Sequence, residues 1–350
     1  MYQGDYGLVG IELSMFSRKL EAQLRFQNIP WYWHFKTQER TADIEARTGT
    51  HFIPALITPE KWMIHDTIAL GPLLNDRFHG TPVIPSSPTQ RACCFILEDV
   101  FNHWLGRVCV HTRWCYADNV AWVGPRFGAN TVLNRSIEVP FSEQELRDLS
   151  PIGPMMYEGF GKNVCQFNGV GPDQEAAVRA DFTQMLSVLD AHFTTHDFLL
   201  GPRPCLADFA LAGACKAHFV TDPTPLGWLG EYRDMLIAYT DRLFGDADYT
   251  ARNWMPGDQL PQSLDSILEY AQNSYFKFAG ANIRAGLAGE KYYEYDYGFG
   301  PTRARTQKRL NVARLHVRDE LQQCGAADHS AVKALFQGRG ILEHYLEHNL

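Results

Sequence analysis

No apolar run in this sequence approaches the roughly 20 residues that a membrane helix needs. There is no C-x-x-C pair and no regular cysteine framework. The eight cysteines stand at 93, 94, 109, 115, 165, 205, 215 and 324, several in apolar helical contexts. That usage argues against a disulfide scaffold and for buried thiols in a reducing cytoplasmic setting. Positive charge is in deficit: 32 Lys and Arg against 40 Asp and Glu leave a net charge of −8. A sequence-independent grip on nucleic acid is thereby excluded. Met1 to Tyr6 carry no basic region and no apolar signal core, so no leader is expected. Internal repeats and low-complexity tracts are missing too. What is present is an ordinary globular mix, 45% hydrophobic and 21% charged, in 350 residues. That length suits two domains or one large one.

The stretch from Gly7 to Phe35 sets the frame. Leu8, Val9, Ile11 and Leu13 form a short apolar run, long enough for one buried strand, and Ser14 ends it. Leu20, Leu24 and Phe26 then recur at helical spacing, with Arg18, Lys19, Glu21 and Arg25 expected on the solvent side. Asn28 stops the helix. Trp31, Trp33 and Phe35 alternate with Tyr32 and His34, the pattern of a second strand. This β-α-β unit puts Ser14 in the first strand-to-helix turn. A hydroxyl there caps the helix. The same turn is where open α/β sheets bind ligands.

Further along, Thr41–Thr48 reads as a short helix before Gly49, and Ala55–Ile57 as a strand with Pro54 at its start. Trp62–Ile64 is a returning strand, and Asp66-Thr67 opens a helix. Residues 80–88 hold Pro82, Pro85 and Pro88 with two serines, a linker by composition. Beyond it strand signals fade. Thr89–Tyr116 is one long aromatic-rich helical pattern. Residues 119–172 are legible only at a helix over Glu143–Leu149. Helices are expected over Gln174–Phe193, Leu206–Phe219 and Leu229–Phe244, the second nearly all apolar.

These residues resemble the glutathione transferase superfamily. S-M-F-S-R-K-L-E-A-Q-L-R-F-Q-N-I-P is similar to that family's first helix, Ile53-Pro54 to its cis-proline step, and Asp66-Thr67 to its acid-hydroxyl pair. F-L-L-G-P-R-P-C-L-A-D-F-A, residues 198–210, resembles the start of its buried C-domain helix. The four stand in the right order over residues 7–245. The resemblance implies a thioredoxin-like α/β domain at 1–80, a linker at 81–88, an all-helical domain at 89–245 and a helical extension at 246–350 packed on it. It also implies a homodimer. The first helix is similar as well to the metaxin and failed-axon-connections branch, whose members act more as adaptors than as enzymes.

The resemblance gives each position a chemistry. Glutathione would be the cosubstrate, its thiolate attacking a small hydrophobic electrophile, because the thiolate is the nucleophile. Counting back six from Leu20 gives Ser14 as the hydroxyl that stabilises it, with Ser17 the rival, read chiefly as the helix cap. Met15 stands where the family often has proline. Ile53 would pair its backbone with the cysteinyl part, with Pro54 cis. Asp66 and Thr67 would receive the γ-glutamyl group. Phe52 occupies the position of a usual Lys or Gln, leaving His51 or Arg40 to hold the glycine carboxylate. Phe101, Trp104 and Trp114 are candidates to line the substrate pocket. Asp208, with Cys205 in the usual Ser or Thr place, serves folding.

Two other motifs carry less. H-Y-L-E-H at 344–348 has the form of a zinc signature, but no third ligand follows it. It reads as a charged, solvated helix, and no metal is expected. Gly159-Phe160-Gly161-Lys162 lacks a strand before it and reads as a loop. In the extension, helices are expected over Leu264–Phe278 and Thr302–Gln323. Tyr292, Tyr293, Tyr295, Tyr297 and Phe299 crowd between them and are expected to fold back near the ligand cleft of the first domain.

Overall fold

The computed structural model describes residues 4–325 and 328–347. The first elements are β1 (Tyr6–Gly10), α1 (Met15–Phe26), β2 (Trp31–Phe35), α2 (Gln38–Thr48), β3 (Ala55–Ile57), β4 (Met63–His65) and α3 (Thr67–Arg77). A helical stretch follows: α4 (Pro88–Trp114), α5 (Ala117–Thr131), α6 (Glu143–Leu149), α7 (Ile152–Met156), α8 (Lys162–Asn168), α9 (Glu175–Phe193), α10 (Leu206–Ala214), α11 (Pro223–Trp228) and α12 (Arg233–Phe244). The extension holds α13 (Leu264–Asn273), α14 (Tyr275–Leu287), β5 (Tyr292–Asp296), β6 (Pro301–Arg305), α15 (Lys308–Gln323), α16 (Ser330–Phe336) and α17 (Ile341–Leu346). No helix among the described residues is long and apolar enough to cross a membrane.

The first sheet has the order β2-β1-β3-β4, with β2 parallel to β1 and both later pairs antiparallel. Strand alternation sorts its side chains onto two faces. Tyr6, Leu8 and Leu56 pack with Leu20 and Leu24 of α1 and Leu70 and Leu74 of α3. Val9 and Ala55 pack on Ile44 of α2. Helices thus cover both faces, and the arrangement is a thioredoxin-like α/β layer followed by helices.

Several boundaries differ from the sequence reading. Strand β1 stops at Gly10, so Ile11 and Leu13 lie in the turn. Helix α1 has no solvent side built from Arg18, Lys19 and Glu21: all three are buried, and only Arg25 of the four reaches water. Their charges are kept by pairing, Arg18 to Glu21 at 2.6 Å and Glu21 to Arg25 at 2.9 Å. The helix expected over Leu264–Phe278 is two helices, broken at Ser274, whose φ of −116° and ψ of −83° are not helical. The tyrosine stretch is strand β5, and residues 302–305, expected to open a helix, belong to its partner β6. Residues 119–172 hold four helices rather than one. Gly159 and Gly161 belong to a π-helical turn, Tyr157–Gly161, not to a loop.

Packing divides the chain into two compact units. The first comprises residues up to Val83, Thr112–Asn163 and Phe209–Thr250; the second comprises Ile84–His111, Val164–Asp208 and the residues from Ala251 on. Phe101 and Trp104 are core in the second unit, and Trp114 in the first, packed on Phe127, Phe160 and Gly161. Burial leaves none of the three free to line a substrate pocket. In the second unit Asp208 accepts from the Leu199 and Cys205 backbone N–H groups, both at 2.9 Å. It closes the start of α10 where a thiol cannot.

Candidate functional site

The strand registers bring the expected residues to one end of the first sheet. Val9 lies opposite Ala55, Ala55 opposite His65, and Gly10 beside Phe35. The chain leaving β1 toward Ser14, the chain arriving at β3 through Ile53-Pro54, the chain leaving β4 into Asp66-Thr67 and the chain leaving β2 at Lys36 therefore share that end. Neighbouring strands are about 4.8 Å apart. Four short segments thus converge within the reach of one small peptide.

Ser14 is the N-cap of α1, half-buried, with φ −101° and ψ 123°. Its Oγ accepts from the Ser17 N–H at 3.3 Å. The hydroxyl proton of Ser14 remains to donate outward. Ser17 is not the cap. It is buried inside the helix, and its Oγ accepts from the Ile11 N–H at 3.4 Å, closing the turn from below. A Cβ on Gly10 would overlap that hydroxyl, so Gly10 is needed for the approach.

The turn between them is held by residues that sequence reasoning passed over. Buried Glu12 accepts from Asn130 Nδ2 at 2.9 Å, Ser136 Oγ at 2.8 Å and the Ile137 N–H at 2.7 Å, and pairs with Arg18 at 3.5 Å. Arg18 Nε donates to the Glu12 carbonyl, and Glu12 N–H to Asn130 Oδ1, both at 2.9 Å. Arg113 donates to the Leu13 carbonyl at 2.5 Å, to Ala217 O at 2.7 Å and twice to Asp222, at 2.8 and 3.0 Å. Burial alone would raise the Asp222 pKa; the Arg113 guanidinium and His218 outweigh it and hold the carboxyl below its usual range. A buried arginine among carbonyls is a signal that charge in a helical stretch carries, yet its partners lie about a hundred residues away.

The Ile53–Pro54 peptide is cis. Asp66 has a positive φ of 77° and caps α3, its Oδ1 accepting from Ile68 N–H at 3.0 Å. That backbone costs on the order of 1–3 kcal/mol in a non-glycine residue. Asp66 is exposed while Thr67 is buried, and Lys19 Nζ reaches the Thr67 hydroxyl at 3.5 Å. Lys19 was read as solvated; it brings a buried positive charge beneath the acid-hydroxyl pair.

Basic groups gather at the β2 side. Lys36 Nζ donates to the His51 carbonyl at 2.6 Å, and burial lowers its pKa, with Glu45 opposing. Arg40 keeps a buried Nη1 without a hydrogen-bond partner among the described residues. Its charge, after burial, helps lower the His34 pKa. His51 is exposed, its ring against that of Phe52, which is 70% exposed. Of the two expected substitutes, Arg40 has an unsatisfied donor, and His51 is engaged through its backbone carbonyl. Lys36 was missed, although it directly follows an alternating strand at its carboxyl end.

No group of three or more His, Cys, Asp or Glu side chains among the described residues is placed to hold a metal. His348 of the 344–348 motif lies outside the described residues. His344 and Tyr345 are buried, so α17 is not the solvated helix read from sequence.

Residues 168–246 match the family model for the glutathione S-transferase C-terminal domain. No curated protein matches the sequence. Among solved structures, the chain is similar to a glutathione S-transferase from Rhodospirillum rubrum F11, at 14% identity and TM-score 0.43, covering 75% of this chain and 99% of that one. It is similar to the beta-etherase LigF from Sphingobium sp. strain SYK-6, at 13% identity, TM-score 0.48, and 75% and 98% coverage. A third is a glutathione S-transferase of Ceriporiopsis subvermispora in complex with glutathione, at 15% identity, TM-score 0.45, and 69% and 100% coverage. Residues 168–246 thus carry the match to the glutathione S-transferase C-terminal domain, and a small mixed sheet with helices on both faces precedes them in the chain.

Proposed function

We propose that this protein is a glutathione transferase on which the thiolate of bound glutathione attacks a small hydrophobic electrophile. The observation that carries the reading is the convergence of Ser14, cis Ile53-Pro54, Asp66-Thr67 and Lys36 at one end of the sheet. A free thiol is poorly ionised at neutral pH, so the site must stabilise the thiolate. Ser14 does so by donating its hydroxyl proton, since its lone pair is already engaged by the Ser17 N–H. The positive end of α1 adds to this. The Ile53 backbone pairs with the cysteinyl part. Asp66 holds the γ-glutamyl ammonium, and Thr67, backed by Lys19, its carboxylate. Lys36 and Arg40 take the glycine carboxylate in place of the missing residue at Phe52. The thiolate forms a carbon–sulfur bond, and the leaving group departs with the electron pair of the bond it gives up. Eight free thiols fit a reducing cytoplasm.

A second reading is a non-catalytic binding protein on the same fold, favoured by exposed Phe52 beside the cis peptide. Retention on immobilised glutathione and conjugation with a panel of electrophiles separate the two. Binding with conjugation supports the transferase; binding alone supports the adaptor; neither overturns the glutathione site. We also propose a homodimer, on the family resemblance. Light scattering at micromolar concentration is expected to give twice the 39.8 kDa chain mass, and a monomer mass would refute it.

A further inference from the structure

The second compact unit buries a set of polar groups that pair by charge but leave hydrogen-bonding atoms unmatched among the described residues. Helix α4 carries Trp104 and Arg107 one turn apart. Strand β5 and the residue after it carry Tyr293, Tyr295 and Tyr297 on one face, all buried, while Tyr292, Glu294 and Asp296 face out. The three rings step at 5.7 Å, with Phe278 of α14 packed 5.4 Å from Tyr295. The hairpin is fixed at its exit, where Asn282 exchanges hydrogen bonds with the Gln307 backbone at 2.8 and 3.0 Å.

Arg107 is 1% exposed. Its guanidinium lies over the Trp104 ring at 4.2 Å and the Tyr297 ring at 4.7 Å. Aromatic rings cover its faces, and the N–H edge is what remains. None of its nitrogens makes a well-aligned hydrogen bond to a described residue, although the Tyr295 and Tyr297 hydroxyls act on its charge. Asp181 lies 3.9 Å away, too far for one. Asp181 Oδ1 accepts from the Tyr270 hydroxyl at 2.9 Å, which accepts from Trp104 Nε1 at 2.7 Å, but Oδ2 has no donor. The hydroxyls of Tyr293, Tyr295 and Tyr297 are likewise unpaired among the described residues. Interiors seldom leave even one such atom unsatisfied, and here they share one place.

We infer that this cluster binds a small organic acid that also carries a hydroxyl or an amine. The N–H edge of a guanidinium matches a carboxylate in two parallel hydrogen bonds. The phenol hydroxyls add donors to the same group. An anion with nothing to donate would sit against Asp181 uncompensated. A hydroxyl or amine next to the carboxylate answers Oδ2. The way in is the β5–β6 hairpin, a two-stranded sheet whose connection contains Gly298 and Gly300, both at positive φ. Two paired strands are all that cover the cluster on that side.

The test uses the full chain and its melting temperature in glycolate, glycine, acetate and sodium chloride at matched ionic strength. The expected result is a saturable rise with glycolate or glycine that exceeds acetate and chloride; which of the two acts tells hydroxyl from amine. Tyr297→Phe and Tyr293→Phe keep the rings and remove a hydroxyl each, and Arg107→Lys keeps the charge and loses the fork. Each is expected to raise the half-saturating concentration about tenfold or more, the worth of roughly one hydrogen bond to a charged group. If Arg107→Lys does not fold, the two tyrosine variants decide. No saturable rise, a rise no larger than that of acetate or chloride, or a rise kept in full by both tyrosine variants would assign these groups to interior water and overturn the site.

Discussion

At the scale of single residues, the site depends on close fits that a sequence shows only in part. Ser14, Pro54, Asp66 and Thr67 stand out as candidates in the sequence because each lies in a turn or at a helix start. Glu12, Lys19, Lys36 and Arg113 do not, because what gives them meaning is a partner distant in the chain, such as Asn130 for Glu12 and Asp222 for Arg113. Gly10 offers a direct test of the turn. Gly10→Ala would push into Ser17 Oγ and is expected to lower unfolding stability by about 1–3 kcal/mol, read by urea denaturation. An unchanged midpoint would show the turn to be loose. Asp66→Asn keeps a residue type that tolerates positive φ and removes the charge. It is expected to weaken glutathione binding about tenfold by calorimetry, with little change in melting temperature. Loss of stability without loss of affinity would make Asp66 a structural cap only.

Among elements, the sequence pattern found the amphipathic helices and the nearly all-apolar one at Leu206–Phe219, and failed where buried charge or a tight crossing shapes the helix. Helix α1 was read as half solvated because it carries alternating charge, yet it is packed on several sides and pairs its ions internally. The region 119–172 is legible in sequence only at Glu143–Leu149 because it is rich in glycine and proline. Those residues in fact serve a helix crossing: a Cβ on Gly124 would come 2.5 Å from Gly153 N, between α5 and α7. The same holds at Gly213 of α10, where a Cβ would lie 2.7 Å from the Lys19 backbone nitrogen. Gly213→Ala is therefore expected to displace α1 and with it the cap at Ser14. Transferase turnover should fall more than the roughly 1–3 kcal/mol loss in stability would explain at assay temperature. Full turnover in a folded Gly213→Ala protein would uncouple α1 placement from catalysis. The β5–β6 hairpin was hidden for another reason. Five aromatic residues within eight positions mark burial but not a period, and only the alternation of Tyr293, Tyr295 and Tyr297 with Glu294 and Asp296 separates strand from helix.

For the molecule as a whole, stability between pH 6.5 and 4 responds through buried groups of the second unit. Burial lowers the pKa of His192 to about 4, with the Phe198 carbonyl opposing, and that of His344 to about 4, with Asp99 opposing. Unfolded, both titrate near 6.5. Below 6.5 the unfolded chain binds protons that the folded one refuses, so their contribution is full above 6.5 and is lost as pH falls toward 4. Asp181 runs the other way. Burial raises it to about 6 from 3.8, so its contribution is greatest below 3.8 and is lost as pH rises through 6. Two groups outweigh one, and stability is expected to drop between pH 6.5 and 4 by on the order of 2 kcal/mol per histidine. Melting curves across that range would read it, and His192→Gln should flatten the slope; an unaltered slope would remove His192 from the account. The central claim, however, is that one end of the first sheet holds glutathione with its sulfur at Ser14, and a crystal structure with glutathione tests it most directly. The account predicts the sulfur about 3.3 Å from Ser14 Oγ, the cysteinyl backbone on Ile53 and the γ-glutamyl group on Asp66 and Thr67. A fully occupied glutathione elsewhere, or none at saturating concentration, would contradict it.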